Sequence, residues 1–98
     1  MLRHIVLWNL NDSCEKKETA AKIKAILEAL KNSISDVAEL KVYVNELSSS
    51  NTDVMLDSLF ENEAALDAYK IHPEHVKAAE FIASVAKNRA AFDFFETA

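Results

Sequence analysis

The stretch YKIHPEHVKAAEFI, residues 69–82, decides how the second half of the chain is built. Pro73 is the only proline in the sequence, and it interrupts a run of apolar residues at helical spacing. The residue before a proline disfavours helical geometry, whereas proline itself suits the first turn of a new helix. One helix therefore ends just before Pro73 and another begins there, with His72 placed as its cap. The first of the pair is capped by Asn62 and carries Leu66 and Tyr69. The second carries Val76, Ala79, Ile82 and Val85 at helical spacing.

Four strands surround this split helix. Residues 89–96, RAAFDFFE, read as the last strand, and residues 53–60, DVMLDSLF, as the one before the helices. In AELKVYVN, residues 38–45, Leu40, Val42 and Val44 alternate with Lys41, Tyr43 and Asn45, which is the pattern of a half-exposed strand. The polar segment ELSSSNTD, residues 46–53, links these two middle strands. At the N-terminus, RHIVLWN, residues 3–9, is a strand by its β-branched and aromatic content. Asp12 and Glu15 have capping-box spacing and predict the start of a helix. That helix carries Ala20, Ile23, Ile26, Leu27, Leu30 and Ile34 on one side. Lys16, Lys17, Glu18, Lys22, Lys24 and Glu28 fall mostly on the other and read as a solvated face.

The order β-α-β-β-α-β predicts a ferredoxin-like α+β sandwich, a four-stranded antiparallel sheet with helices on one face. HIVLW and AAFDFF place apolar groups on both faces of their strands, so the second face needs a cover. The 98 residues suit one domain and leave no element to supply it. A second copy packed sheet to sheet is the expected solution, giving a homodimer with a cavity or core between two sheets.

Composition narrows the function classes. Half of the residues are apolar, the net charge is −5 and the pI is near 5.1. The basic residues form no arm or cluster, so nucleic acid is not an expected partner. MLRHIVLWNL contains His4 and Asn9 and has neither the length of a membrane span nor a small-residue cleavage site, so no membrane segment or signal peptide is read. The single cysteine, Cys14, forms no internal disulfide, suits a reducing cytoplasmic setting and reads as a partly covered helix residue. The chain has no glycine, which excludes glycine-rich phosphate loops and dinucleotide fingerprints. Turns must then use Asn or Asp at positive φ, or avoid such geometry.

These features are similar to those of the stress-responsive dimeric α/β-barrel family, Dabb. The resemblance lies in HIVLWNL, in FENEAALDAYKIHPEHV from Phe60 to Val76, and in a terminal strand with Asp93 between aromatics. The string Y-x-x-H-P-x-H, Tyr69 to His75, is its most specific part. Family members commonly carry glycine before an asparagine in the second strand, where this chain has Tyr43, a bulk expected to alter the barrel wall or narrow a pocket. The resemblance implies a dimeric α/β barrel that binds a small apolar or aromatic ligand. Many members have no assigned reaction, and others are linked with stress protection. One plant member type is a polyketide cyclase that closes a ring by aldol chemistry without a cofactor. Its acid–base pair matches Tyr69 and His75, with His4 near the same pocket. More distant dimeric barrels include cofactor-independent oxygenases.

The candidate catalytic residues are therefore Tyr69, His75 and His4. His75 lies two or three positions into its helix, where the dipole disfavours imidazolium and keeps a base neutral. Tyr69 is placed to donate to a carbonyl or to orient the histidine. In the competing architectural reading, His72 caps a helix, Tyr69 packs its ring and His75 binds a backbone carbonyl. His4 shares a strand face with Val6 and Trp8 and fits a satisfied core position equally well. Trp8, His72 and Phe81 are the expected ligand-binding residues. Asp93 either pairs with a histidine or marks an edge strand against aggregation, and the second reading is the simpler. His72 and His75 have i, i+3 spacing, but no third ligand follows from spacing, so no metal is expected.

Overall fold

The first strand sets the two faces of the molecule. In the computed structural model, which describes residues 1–97, β1 (Leu2–Leu10) alternates without a break. Leu2, His4, Val6, Trp8 and Leu10 are buried, while Arg3, Ile5, Leu7 and Asn9 on the other face are half-buried. The elements that follow are α1 (Lys16–Ser33), β2 (Val37–Val44), β3 (Val54–Phe60), α2 (Glu63–Ile71), α3 (Pro73–Val85) and β4 (Ala86–Phe95). The strands form one antiparallel sheet in the order β2-β3-β1-β4. This is the ferredoxin-like α+β fold. The helices cover one face, where Ile23, Leu27 and Leu30 of α1, Leu66 and Tyr69 of α2, and Ala78 and Ile82 of α3 meet the even-numbered residues of β1.

Register decides what the other face shows. Ile5 pairs with Phe92 and Leu7 with Ala90 on β4, while Leu7 pairs with Met55 and Arg3 with Leu59 on β3. Side chains of paired residues share a face. The open face therefore carries Ile5, Leu7, Met55 and Phe92, with Tyr43 opposite Met55. Phe92 is 68% exposed and packs beside Phe94 at 5.8 Å between ring centroids. Arg3 stands on the same face among Asp57, Glu39 and Glu96.

Both caps around the split helix form as the sequence predicts. The Asn62 side chain accepts from Ala65 N at 2.9 Å, and His72 Nδ1 accepts from Glu74 N at 3.1 Å. Two local expectations need correction. Asp12 does not cap α1, whose N-cap is Glu15 without a side-chain bond. A turn closed by Cys14 N to Asn11 O carries Asp12 away from the helix, where it pairs with Lys16 and Lys87. Cys14 thus precedes α1, with its thiol 3.6 Å from Val85 O. The inward stripe of α3 holds Ile82 and Val85 as expected, but its first half is shifted by one residue. Val76 and Ala79 are exposed, and the stripe runs through half-buried His75, buried Ala78 and Ile82, and half-buried Val85. Spacings of three and four keep these on one side of a helix, so a histidine occupies a position that an apolar residue ordinarily fills.

No described residue adopts positive φ, so the glycine-free chain avoids such turns. The β2–β3 loop is held instead by Asn45, whose amide donates to Ser50 O and Thr52 O and whose oxygen accepts from Leu47 N. No helix among the described residues is long and apolar enough to cross a membrane.

Part of the expected solvated face of α1 has a second role. β2 is an edge strand, and its Val42 presents an unpaired N–H and C=O outward. Glu28 Oε2 accepts from Val42 N at 3.0 Å, and Lys24 Nζ donates to Val42 O at 2.7 Å. The two side chains also pair with each other at 2.8 Å. They close this edge to strand addition. Glu28→Ala is expected to cost about 1.5 kcal/mol in urea denaturation, the low end for a lost bond to a charged acceptor because the carboxylate is partly exposed, with Glu28→Gln recovering much of it. A loss within experimental error would mean that water replaces the carboxylate without penalty.

Candidate active site

A cavity of about 440 Å³ lies between the covered face of the sheet and the α2–α3 pair. That volume falls within the range of small-molecule pockets. Its floor is buried, formed by His4, Val6, Trp8, Leu56 and Tyr69, and its mouth is formed by exposed Ala83, Lys87, Asn88 and Arg89. The histidine at the head of the α3 stripe, His75, lines the wall between them.

The helix break positions His75. The last carbonyls of a helix have no partner within it. His75, in the first turn of α3, reaches back to one of these, with Nδ1 2.9 Å from Lys70 O. A carbonyl only accepts, so Nδ1 carries the hydrogen and Nε2 keeps its lone pair. Burial lowers the His75 pKa below the ordinary histidine value. The Lys70 carbonyl opposes this, and the charges of His4, Arg89 and Lys70 add to it. The ring is therefore neutral near pH 7, with a basic nitrogen available.

Tyr69 is fully buried, its ring 4.4 Å from that of His75 and 5.0 Å from that of Phe60. Its hydroxyl has no hydrogen-bond partner. Burial pushes its pKa up to about 12, so the group stays protonated and acts as a donor. A buried hydroxyl without a partner costs about 1–3 kcal/mol, which makes it an exception among native polar groups.

His4 is held from the opposite side. β1 and β4 place it directly across from Asp93, and its Nδ1 binds the Asp93 carboxylate. This corrects the simpler reading of Asp93 as an edge marker: its side chain orients a histidine. Burial lowers the His4 pKa despite the carboxylate. His4, like His75, thus presents Nε2 as its unengaged nitrogen.

Tyr69, His75, His4 and Trp8 accordingly line one cavity, although 61 positions separate Trp8 from Tyr69. His72 and Phe81 do not line it. The His72 ring caps α3, and Phe81 turns toward α1, under Lys22 Nζ at 4.6 Å and beside Ile26 and Leu30. Phe81 precedes Ile82 of the stripe by about 100° of helical rotation, which directs it elsewhere. Tyr43 lies on the open face beside Met55 and Leu7 and does not narrow the cavity. The cavity also sits within one protomer, on the helix side of the sheet, not between two sheets. Arg89 is an addition that only the register reveals, since it enters by lying opposite Trp8, and Asn88 beside it also lines the cavity. No group of three potential metal ligands occurs among the described residues.

Fold comparison places the chain among proteins of the same architecture. A dimeric protein of unknown function with a ferredoxin-like fold from Bacteroides fragilis matches with a TM-score of 0.88 and 32% identity, over 95% of this chain and 93% of that one. A dimeric ferredoxin-like protein of unknown function from Thermobifida fusca matches at 0.78 and 25% identity, over 95% and 88%. A hydroxynitrile lyase from Passiflora edulis shares the fold at 0.84 and 16% identity, over 98% and 93%. No curated protein sequence matches the chain. The model of the stress responsive A/B barrel domain matches residues 2–96, nearly the whole length, and the chain belongs to that family, Dabb.

Proposed function

We propose that the cavity binds a small, largely apolar carbonyl compound and performs acid–base chemistry on it, with His75 as base and Tyr69 as hydrogen-bond donor. The observation that carries this reading is the unpartnered Tyr69 hydroxyl beside a histidine whose tautomer leaves Nε2 free. A ligand carbonyl oxygen would satisfy the hydroxyl, and a carbon–hydrogen bond next to that carbonyl would lie toward His75. Nε2 takes the proton and the Tyr69 hydroxyl holds the developing enolate oxygen. The enolate carbon attacks a second carbonyl of the same molecule, forming a carbon–carbon bond. The resulting alkoxide recovers the proton from the imidazolium. This is an aldol-type cyclisation, which asks the protein for proton transfer by His75 and for oxyanion stabilisation by Tyr69. His4, oriented by Asp93, supplies a second basic nitrogen on the cavity floor.

Association of two copies through the open sheet face belongs to the same proposal. Phe92, Tyr43 and Phe94 are exposed there in one chain. The relatives from B. fragilis and T. fusca are dimeric proteins. Lys24 and Glu28 engage the outward-facing groups of Val42, so strand addition at that point of β2 must displace them.

Three outcomes test these statements. In a screen of small ketones and polyketide-like ligands followed by Trp8 fluorescence, His75→Ala at matched stability should weaken binding and abolish turnover. Tyr69→Phe should do the same while leaving the unliganded protein as stable as wild type or up to ~1 kcal/mol more stable, because it removes an unsatisfied hydroxyl. A destabilised Tyr69→Phe protein would reveal an internal partner for the hydroxyl and weaken the ligand assignment. Lowering the pH should remove activity with an apparent pKa below the ordinary ~6.5 of histidine. Stability should follow the same sign. The fold favours neutral His4 and His75, so melting temperatures should hold above about pH 6.5 and fall as the pH drops below it. A pH-independent melt across that window would contradict the burial of both rings. Light scattering at micromolar concentration should report a dimer, and Phe92→Glu should shift it toward monomer; a monomeric wild type would overturn the association.

A further inference from the structure

The chain has two arginines, and they are treated in opposite ways. Arg3 on the open face is surrounded by Asp57, Glu96 and Glu39. Arg89, at the mouth of the cavity, takes part in no ion pair or side-chain hydrogen bond among the described residues, although the chain holds 16 acidic residues. The second cation at the mouth does have a partner. Lys87 pairs with Asp12 at 3.3 Å, but Asp12 lies outside the cavity lining. Asp93, the carboxylate nearest the floor, is engaged by His4. Lys70 and Arg89 both bear electrostatically on His4 and His75, so their charge is felt throughout the polar half of the site. In a protein of net charge −5, Arg89 thus stands without a carboxylate partner among the described residues, at the mouth of a largely apolar cavity. Low-dielectric walls focus that field on whatever enters.

We infer that the ligand is an anion, an apolar acid whose carboxylate is held by Arg89 at the mouth while its carbonyl-bearing body lies on the Tyr69–His75 floor. This rests on the proposed function and adds a substrate class to it. A guanidinium binds a carboxylate through two parallel N–H donors, which fixes orientation as well as supplying affinity. Both anchors line the cavity, Tyr69 buried and Arg89 exposed. They would admit the ligand tail first and keep its charged end near water.

Octanoate and octanamide, matched in size and differing in charge, separate the two levels of the argument. Binding is followed by fluorescence of Trp8, the sole tryptophan, which lines the cavity. Octanoate should bind wild type roughly tenfold or more tighter than octanamide, in keeping with a charge-assisted pair. Arg89→Gln should erase the difference by weakening octanoate and leaving octanamide unchanged, and Lys87→Gln should preserve most of it. Equal binding of acid and amide to wild type, with His75→Ala weakening both, would overturn the anion assignment and leave the cavity reading intact. Failure of both probes to bind at millimolar concentration would count against both readings. If Arg89→Gln altered the dimer mass and not the acid-to-amide ratio, Arg89 would serve the subunit interface and the inference would fall.

Discussion

The break at Pro73 is the constraint on which the site depends. A continuous helix over residues 63–85 would satisfy the Lys70 carbonyl internally and leave no acceptor for a side chain. Pro73 ends that continuity, His72 caps the new start, and the carbonyl of Lys70 becomes the partner of His75 Nδ1. One covalent restriction on backbone geometry thereby sets the tautomer of a side chain two residues away. The same break fixes the phase of α3, so that His75 heads the stripe that Ala78 and Ile82 continue into the core. Tyr69, one turn before the break, is brought ring to ring with His75 across it.

The sheet divides the remaining functions by parity. Even residues of β1 build the cavity floor, and odd residues build an apolar surface that the chain itself leaves open. The consequences differ in kind. On the covered side, the Tyr69 hydroxyl is the one buried side-chain polar atom without a partner among the described residues. On the open side, exposed aromatics coexist with Arg3 and its carboxylates. Exposed apolar area of this sort ordinarily marks an interface. The cavity and the exposed aromatic surface thus lie on opposite faces of the sheet.

Much of the architecture was legible in particular residues. Alternation of Leu40, Val42 and Val44, the caps Asn62 and His72, and the lone proline lead to the ferredoxin-like order without any contact information. Tyr69 and His75 stand out because a helix break needs His72 and Pro73 but not them. Other residues were illegible for stated reasons. Val76 is apolar and His75 is not, so a pattern based on hydropathy put the first half of the α3 stripe one residue late. Phe81 looked like a ligand contact because it is aromatic, yet helix phase turns it to α1. Glu28 and Lys24 looked solvated because their binding partner, the free edge of β2, exists only once the sheet is formed.

The sequence by itself determined the element order, the family and the pair of residues worth testing. Those follow from local rules: periodicity of two or nearly four, proline geometry, and capping chemistry that acts within a few positions. Only the tertiary structure decided which nitrogen of each histidine is free, that Asp93 serves His4, that the Tyr69 hydroxyl is unpartnered, and that Arg89 joins the cavity. The placements of His4, Asp93 and Arg89 depend on strand register, and shifting register by one residue would turn every side chain to the other face of the sheet. Local sequence does not encode that choice; it is made by packing β1 between β3 and β4 while the helices bury a single face.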